Sequence, residues 1–121
     1  MATEILSRGW DGPYYVVRTS AFDADFLVGE GEDPDEVANV DVRVQFPDGT
    51  RWGATMFTLG EVDRLMRRWE RTGEYADGRY FPISHDLIVR EPGVPKMTAV
   101  LIAMHDSDDL KSLLERYGIP G

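Results

Sequence analysis

The chain contains no cysteine, so neither a disulfide bond nor a thiolate metal site is possible. No stretch approaches the roughly 18 consecutive apolar residues that a membrane span needs. Residues 1–20 also lack the basic start and apolar segment that are typical of a secretory signal. These absences predict a soluble, cytoplasmic protein with no membrane partner.

Basic side chains are outnumbered by acidic ones. The 121 residues carry 13 lysines and arginines against 22 acidic side chains, a net charge of −9 with a pI of about 4.6. This is the wrong sign for binding phosphate, so we expect no direct contact with nucleic acid. The acidity is mostly N-terminal, because residues 1–59 hold 11 acidic and 4 basic side chains. Hydrophobic content of 42% in a chain of this length predicts a single domain over residues 1–121.

Residues 39–57 alternate apolar and polar side chains around a Pro47-Asp48-Gly49 turn, which predicts a β-hairpin. A two-residue loop would place the apolar side chains of the first strand opposite polar residues of the second. A three-residue loop with Gly49 at positive φ instead aligns Val40, Val42 and Val44 with Trp52, Ala54 and Met56. We expect this second register, because it gives the hairpin one continuous apolar face.

An amphipathic helix is predicted over residues 59–72. Thr58 and Glu61 have the spacing of a reciprocal capping box, and Gly73 supplies a left-handed stop. One face carries an apolar stripe at helical spacing: Val62, Leu65, Met66 and Trp69. The opposite face carries what we call the arginine stripe: Arg64, Arg67, Arg68 and Arg71. The arginines repel one another, and pairing with Glu61 and Asp63 offsets part of this repulsion. Three interpretations of the stripe remain open: a solvated face, a counter-charge to the chain's own acidic loop, or a surface for an acidic partner.

The remaining elements are shorter. We expect strands over residues 14–19, 22–28 (at a sheet edge) and 87–89, and a compact turn with an aromatic return over 73–81. The apolar residues of 97–104 have helical spacing, although a strand over 98–104 is an alternative. A last helix is expected from a Ser107 cap to Gly118, with Ile119 folding back as its hydrophobic contact. The predicted fold is α+β: an antiparallel sheet of four or five strands, the 59–72 helix on one face, and two short C-terminal helices.

The densest charge lies in what we call the acidic loop, residues 30–36. It carries Glu30, Glu32, Asp33, Asp35 and Glu36 beside a proline and a glycine. An EF-hand would need alternating acids, a central glycine and a distal glutamate, and this spacing is absent. We therefore expect no metal here and interpret the loop as solvated or as a partner-binding surface.

No catalytic set is recognisable. The two histidines precede aspartates, at His85-Asp86 and His105-Asp106, but metal-dependent His-Asp hydrolases need further histidines. No serine lies in a nucleophile elbow, and no glycine-rich phosphate loop occurs. We expect no catalytic residue, no metal and no cofactor.

Residues 40–91 contain a recurrent pattern. It comprises a strand, an Asp-Gly turn, an A-T-x-F-T-L junction into a helix, a T-G-E turn, a G-x-Y-F segment and a D-x-I-V strand. In this pattern the chain resembles a family of small uncharacterised bacterial proteins. The resemblance implies a layout of the fold and carries no catalytic residues.

Three functions remain open at this point. The first is an acidic protein-binding module of the immunity or inhibitor type, which would neutralise a basic toxin or nuclease by electrostatic attraction. The second is a small-ligand binder or enzyme with a site near Tyr80, His85 and Asp86, with Tyr75 nearby. The third is a structural component of a larger assembly that uses the arginine stripe or a sheet edge.

Overall fold

The computed structural model describes residues 2–117 of the chain. The described part contains seven strands in one sheet: β1 (Ile5–Asp11), β2 (Tyr14–Thr19), β3 (Asp23–Leu27), β4 (Asn39–Gln45), β5 (Arg51–Thr58), β6 (Asp86–Val89) and β7 (Glu115–Tyr117). The helical segments are α1 (Leu59–Thr72), α2 (Glu74–Gly78), α3 (Val94–Asp106) and α4 (Leu110–Leu113). The α+β class is confirmed. The expected four or five strands were too few, because β1 and β7 were not foreseen.

Strands β1 to β5 form an antiparallel meander in which each strand pairs with its predecessor. β3 therefore lies inside the sheet, between β2 and β4, and not at an edge as expected. β6 joins β5 in parallel at Thr55–Thr58, after the crossover through α1. β7 pairs with the other half of the same side of β5, at Arg51–Gly53.

The β4–β5 register is the one predicted. Val40 pairs with Met56, Val42 with Ala54 and Val44 with Trp52. Gly49 has a φ of 88°, a conformation that side-chain-bearing residues rarely adopt. The Asp48 carboxylate accepts hydrogen bonds from the hydroxyl (2.7 Å) and the amide (2.9 Å) of Thr50, and these bonds lower the pKa of Asp48.

The main core lies on this apolar face of the sheet. Helix α3 buries Val94, Met97, Thr98 and Leu101, and these side chains join the apolar residues of β2 to β5. Leu110 and Leu114 close one end of the same core. The apolar hairpin face is therefore covered by α3 and α4, and not by the 59–72 helix.

Helix α1 has the predicted bounds but packs on the opposite face. Its Trp69 stacks on Phe81 with ring centroids 5.4 Å apart, and Phe81 contacts Phe57 of β5 at 5.1 Å. Phe57 neighbours Met56 in the strand and so points away from the main core. Trp69 is the one buried residue of α1, and its contacts run through Phe81 to Phe57, so the helix covers the Phe57 end of this second face.

The ends of α1 match the sequence signals in part. The Thr58 hydroxyl accepts a hydrogen bond from the Glu61 amide at 3.0 Å, and Gly73 is left-handed with a φ of 87°. The reciprocal half of the capping box does not form. The Thr58 amide donates to the Ala38 carbonyl at 2.9 Å, which leaves the Glu61 carboxylate to Arg64.

The C-terminal segment differs most from expectation. The 97–104 region is helical, so the strand alternative was wrong. The helix expected from Ser107 to Gly118 ends at Leu113, and Glu115–Tyr117 is a strand instead. β6 covers only half of the outer side of β5, and β7 completes the hydrogen bonding of the other half. Gly118 and Ile119 lie outside the described residues.

Candidate functional site

The acidic loop connects β3 to β4 and is held by its backbone. The Pro34 carbonyl accepts from the Val94 amide at 2.7 Å, and the Val37 carbonyl accepts from the Gly93 amide at 2.8 Å. Both donors belong to the start of α3, whose orphan amides need acceptors. The side chains of all five loop acids are exposed. The structure thus presents these carboxylates on a fixed main chain.

Gly93 explains how closely the loop approaches α3. Its φ of 99° is outside the range of ordinary side-chain-bearing residues. A Cβ at this position would lie 2.3 Å from the Asp35 carbonyl oxygen, far inside van der Waals contact. The loop is also ordered internally, because the Asp33 carboxylate accepts from the Asp35 amide at 2.9 Å. Only glycine lets the loop and the helix meet here.

The arginine stripe lies elsewhere, and two of its four arginines form ion pairs within their own helix. Arg64 donates to Glu61 at 2.6 and 3.1 Å, and Arg67 lies 2.9 Å from Asp63. These are the two intrahelical pairs predicted from the sequence. The hydrogen bonds from Arg64 hold the pKa of Glu61 below its usual value, against a smaller opposing effect of burial. The acidic loop meets the start of α3, so its anchoring involves none of these pairs.

A second surface is an open groove of about 350 Å³ on the polar face of the sheet. The side chains that define it come from neighbouring strands and from the segment before β6: Tyr14, Asp25, Asp41, Arg43, Thr55, Ser84, His85, Asp86 and Glu115. Cross-strand pairing aligns Asp25 with Arg43, Arg43 with Gly53, and Gly53 with Glu115. Because Gly53 has no side chain, the floor of the groove there is main chain.

Charge in the groove is mixed, with an excess of carboxylates. Arg43 binds Asp25 at 2.7 and 3.1 Å, and its guanidinium lies 4.9 Å from the centre of the Tyr14 ring. The Thr55 hydroxyl donates to Asp41 at 2.5 Å. Four carboxylates thus share the groove with one guanidinium and one imidazole. A cation is the chemical class of ligand that such a surface favours.

The structure separates the residues of the small-ligand hypothesis. His85 and Asp86 line the groove, and the His85 imidazole lies 3.7 Å from the Glu115 carboxylate. The His85 side chain is 53% exposed, so these residues do not converge in an enclosed pocket. Tyr80 instead packs on Tyr75 at 5.7 Å, in the aromatic cluster beside α1. The groove therefore retains two of the three residues.

The aromatic cluster rests on an unusual turn. Tyr75, Ala76 and Asp77 all have positive φ, between 50° and 59°, and form one left-handed turn. Such a conformation costs side-chain-bearing residues about 1–2 kcal/mol each. The Tyr75 ring packs on Trp69 with ring centroids 4.5 Å apart, and this contact helps to offset the cost. The compact turn and aromatic return expected over 73–81 take this form.

The second histidine pair is part of the scaffold. The His105 ring packs on Phe22 and Phe46, with centroids 5.8 and 5.6 Å away. Asp106 accepts a hydrogen bond from the Thr3 hydroxyl at 2.7 Å. Within residues 2–117, no group of three or more histidine, aspartate or glutamate side chains is placed to hold a metal ion.

Sequence reasoning missed most of the groove. The sequence predicted the strand that carries Asp25, but Asp41, Arg43, Thr55 and Glu115 were not singled out. The hairpin register already pairs Asp41 with Thr55 and Arg43 with Gly53, and this was the available signal. Asp25 and Glu115 join them only through strand pairings that no local pattern predicts.

No family model, no curated protein and no solved structure matched the chain. The resemblance to small uncharacterised bacterial proteins over residues 40–91 stays a prediction. Across the described residues, the helices are too short or too polar to cross a bilayer.

Proposed function

We propose that the protein is an acidic protein-binding module of the immunity or inhibitor type, which covers the basic active site of a toxin or nuclease. The observation that carries this proposal is the acidic loop, five exposed carboxylates on a main chain fixed to the start of α3. A loop that is ordered before binding loses less conformational entropy on association. A net charge of −9 adds long-range attraction toward a basic partner.

The first step of the test is to purify the protein with its partner from the native host and to identify that partner by mass spectrometry. The proposal requires a partner with a basic surface, and a toxin or nuclease would support the inhibitor class directly. If the partner is a toxin or nuclease, co-expression of this protein should suppress the partner's toxicity. A partner without any basic surface would contradict the proposal.

The second step locates the interface. The loop variant neutralises all five acids: Glu30→Gln, Glu32→Gln, Asp33→Asn, Asp35→Asn and Glu36→Gln. The control variant neutralises five other exposed acids: Glu70→Gln, Glu74→Gln, Asp77→Asn, Glu91→Gln and Asp108→Asn. Each changes the formal charge from −9 to −4 (−9 plus 5), so overall charge is matched.

We expect the loop variant to associate with the partner about tenfold to a hundredfold more slowly at low salt, with much less salt dependence. The control variant should stay within about threefold of the wild-type rate, because its charges lie outside the interface. Stopped-flow or surface plasmon resonance measures both rates. Equal slowing of the two variants would show that only net charge matters, and an unaffected loop variant would exclude the loop.

A small-ligand binder is the second candidate, supported by the groove. Four carboxylates line this open groove with one guanidinium and one imidazole, so the ligand would be a small amine or guanidinium compound. Such a ligand would bind the wild-type protein and the loop variant equally, which calorimetry can measure. Because His85 is exposed, we propose binding here and no catalysis.

A further inference from the structure

Strand β1 is an edge strand with an exposed apolar surface. It stands at the end of the sheet order and pairs with β2 on one side. Three of its large side chains are exposed: Ile5 (50%), Leu6 (65%) and Trp10 (54%). An exposed edge of this kind presents unpaired amide and carbonyl groups that favour pairing with another strand.

The main-chain groups that point outward follow from the pairing of β2. The Thr19 amide donates to the Phe22 carbonyl at 2.9 Å, which commits Thr19, Val17 and Tyr15 to hydrogen bonding with β3. Since antiparallel hydrogen bonding alternates along a strand, Tyr14, Val16 and Arg18 bond to β1. Their partners are Asp11, Gly9 and Ser7. The main-chain groups of Arg8 and Trp10 therefore face away from the sheet.

Charge distinguishes this edge from the rest of the chain. Residues 5–19 carry two arginines and one aspartate, a formal charge of +1, whereas the whole chain carries −9. Two copies of a strongly acidic protein repel each other over most of their surfaces. The β1–β2 hairpin is a place where two copies can approach without opposing acidic clusters.

We propose that β1 pairs with β1 of a second copy of this chain, antiparallel around a twofold axis at Gly9. This register places Arg8 opposite Trp10 of the second copy, and the reverse. The outward amides and carbonyls of these residues then form four hydrogen bonds. Arg8 and Trp10 lie on the same face of the sheet, beside Val17 and Tyr15, so each guanidinium meets an indole ring.

The neighbouring register is less favourable. An axis at Arg8 would place the two Arg8 side chains directly opposite each other, and like charges in that position are destabilising. It would also use Leu6, where the β1–β2 pairing is irregular between Ile5 and Ser7. The Gly9 register avoids both problems. The resulting dimer contains one continuous sheet that runs through both copies.

Sedimentation equilibrium of the purified full-length chain tests the proposal. An edge-to-edge interface is small, so dimerisation should be reversible. The average molar mass should therefore rise with protein concentration from 13.7 kDa toward twice that value. Trp10→Lys keeps the backbone and puts a lysine opposite Arg8, and Arg8→Pro removes an outward amide where proline is tolerated. Each should raise the dimer dissociation constant by roughly tenfold or more.

The matched control is Leu59→Lys. Leu59 is 54% exposed, as Trp10 is, but lies at the start of α1. The Leu59→Lys variant should dimerise as the wild type does. Circular dichroism checks that each variant is folded. A wild-type mass that stays at 13.7 kDa up to several hundred micromolar would overturn the proposal. So would Trp10→Lys and Arg8→Pro variants that are folded and still dimerise fully.

Discussion

Helices α3 and α1 pack against opposite faces of one sheet and are held in different ways. α3 buries four side chains in the main core, and its first residues hold the acidic loop. α1 buries only Trp69 and depends on a capped start, a left-handed stop and ion pairs along its surface. Burial in the core therefore holds α3 in place, whereas caps and ion pairs within the helix hold α1.

This difference decides where surface is left for binding. Because α3 and α4 cover one face of the sheet, that face is committed to stability. Because α1 covers only the Phe57 end of the other face, polar side chains of β3, β4 and β5 remain open as the groove. The acidic loop combines both features, because its backbone is bonded to the start of α3 and its carboxylates face solvent.

The largest expected effect comes from truncating α3. Leu101 is fully buried, so Leu101→Ala should lower the free energy of unfolding by about 2–5 kcal/mol through lost burial and a cavity. Leu65→Ala is the matched change on α1, where the side chain is only half-buried, and should cost about 1 kcal/mol. Urea unfolding measures both, and equal losses would show that the two helices are held alike.

A middle effect is expected where α3 meets the acidic loop. Gly93→Ala adds a Cβ that collides with the Asp35 carbonyl at a φ of 99°, and should cost about 2–3 kcal/mol. Gly31→Ala, in the loop itself, has a φ of 83° with open space around the new atom. It should cost about 1–2 kcal/mol, from backbone strain alone.

Hydrogen exchange shows whether the anchor is lost. In Gly93→Ala the amide of Val94 should exchange faster, because its bond to the Pro34 carbonyl opens when the loop is displaced. In Gly31→Ala it should keep its protection. Unchanged protection in Gly93→Ala would mean that the loop does not depend on this contact.

Local signals account for what the sequence predicted well. The bounds of α1 follow from Thr58, the apolar stripe and Gly73, all within one segment. The β4–β5 register follows from the chemistry of a three-residue turn. The face that α1 covers did not follow, because Met56 and Phe57 are adjacent and apolar and point to opposite sides of β5.

Long-range pairing accounts for what was missed. β7 forms because half of the outer side of β5 needs partners, a requirement that is invisible within residues 110–117. Asp25 reaches Arg43 through β3–β4 pairing, and Glu115 lies beside Gly53 only through β7. The loop acids were found from composition, but their anchoring by Gly93 requires the fold.

The smallest expected effect tests the ion pairs that support α1. Hydrogen bonds from Arg64 lower the pKa of Glu61 in the folded protein from its ordinary value of 4.5. The ionised carboxylate therefore stabilises the fold above pH 4.5, and this contribution is lost as the pH falls through the lowered pKa. At pH 7, Glu61→Gln should cost roughly 0.5 kcal/mol.

Urea unfolding of the wild type and Glu61→Gln at several pH values measures this difference. It should be constant from pH 7 to about 5.5 and shrink below pH 4.5, because protonated Glu61 is neutral, as glutamine is. Asp63→Asn is the control, since its pair with Arg67 is far more exposed, and it should lower the free energy of unfolding at pH 7 by less than Glu61→Gln does. A Glu61→Gln difference that persists unchanged at pH 3 would mean that packing, and not the ion pair, fixes the start of α1.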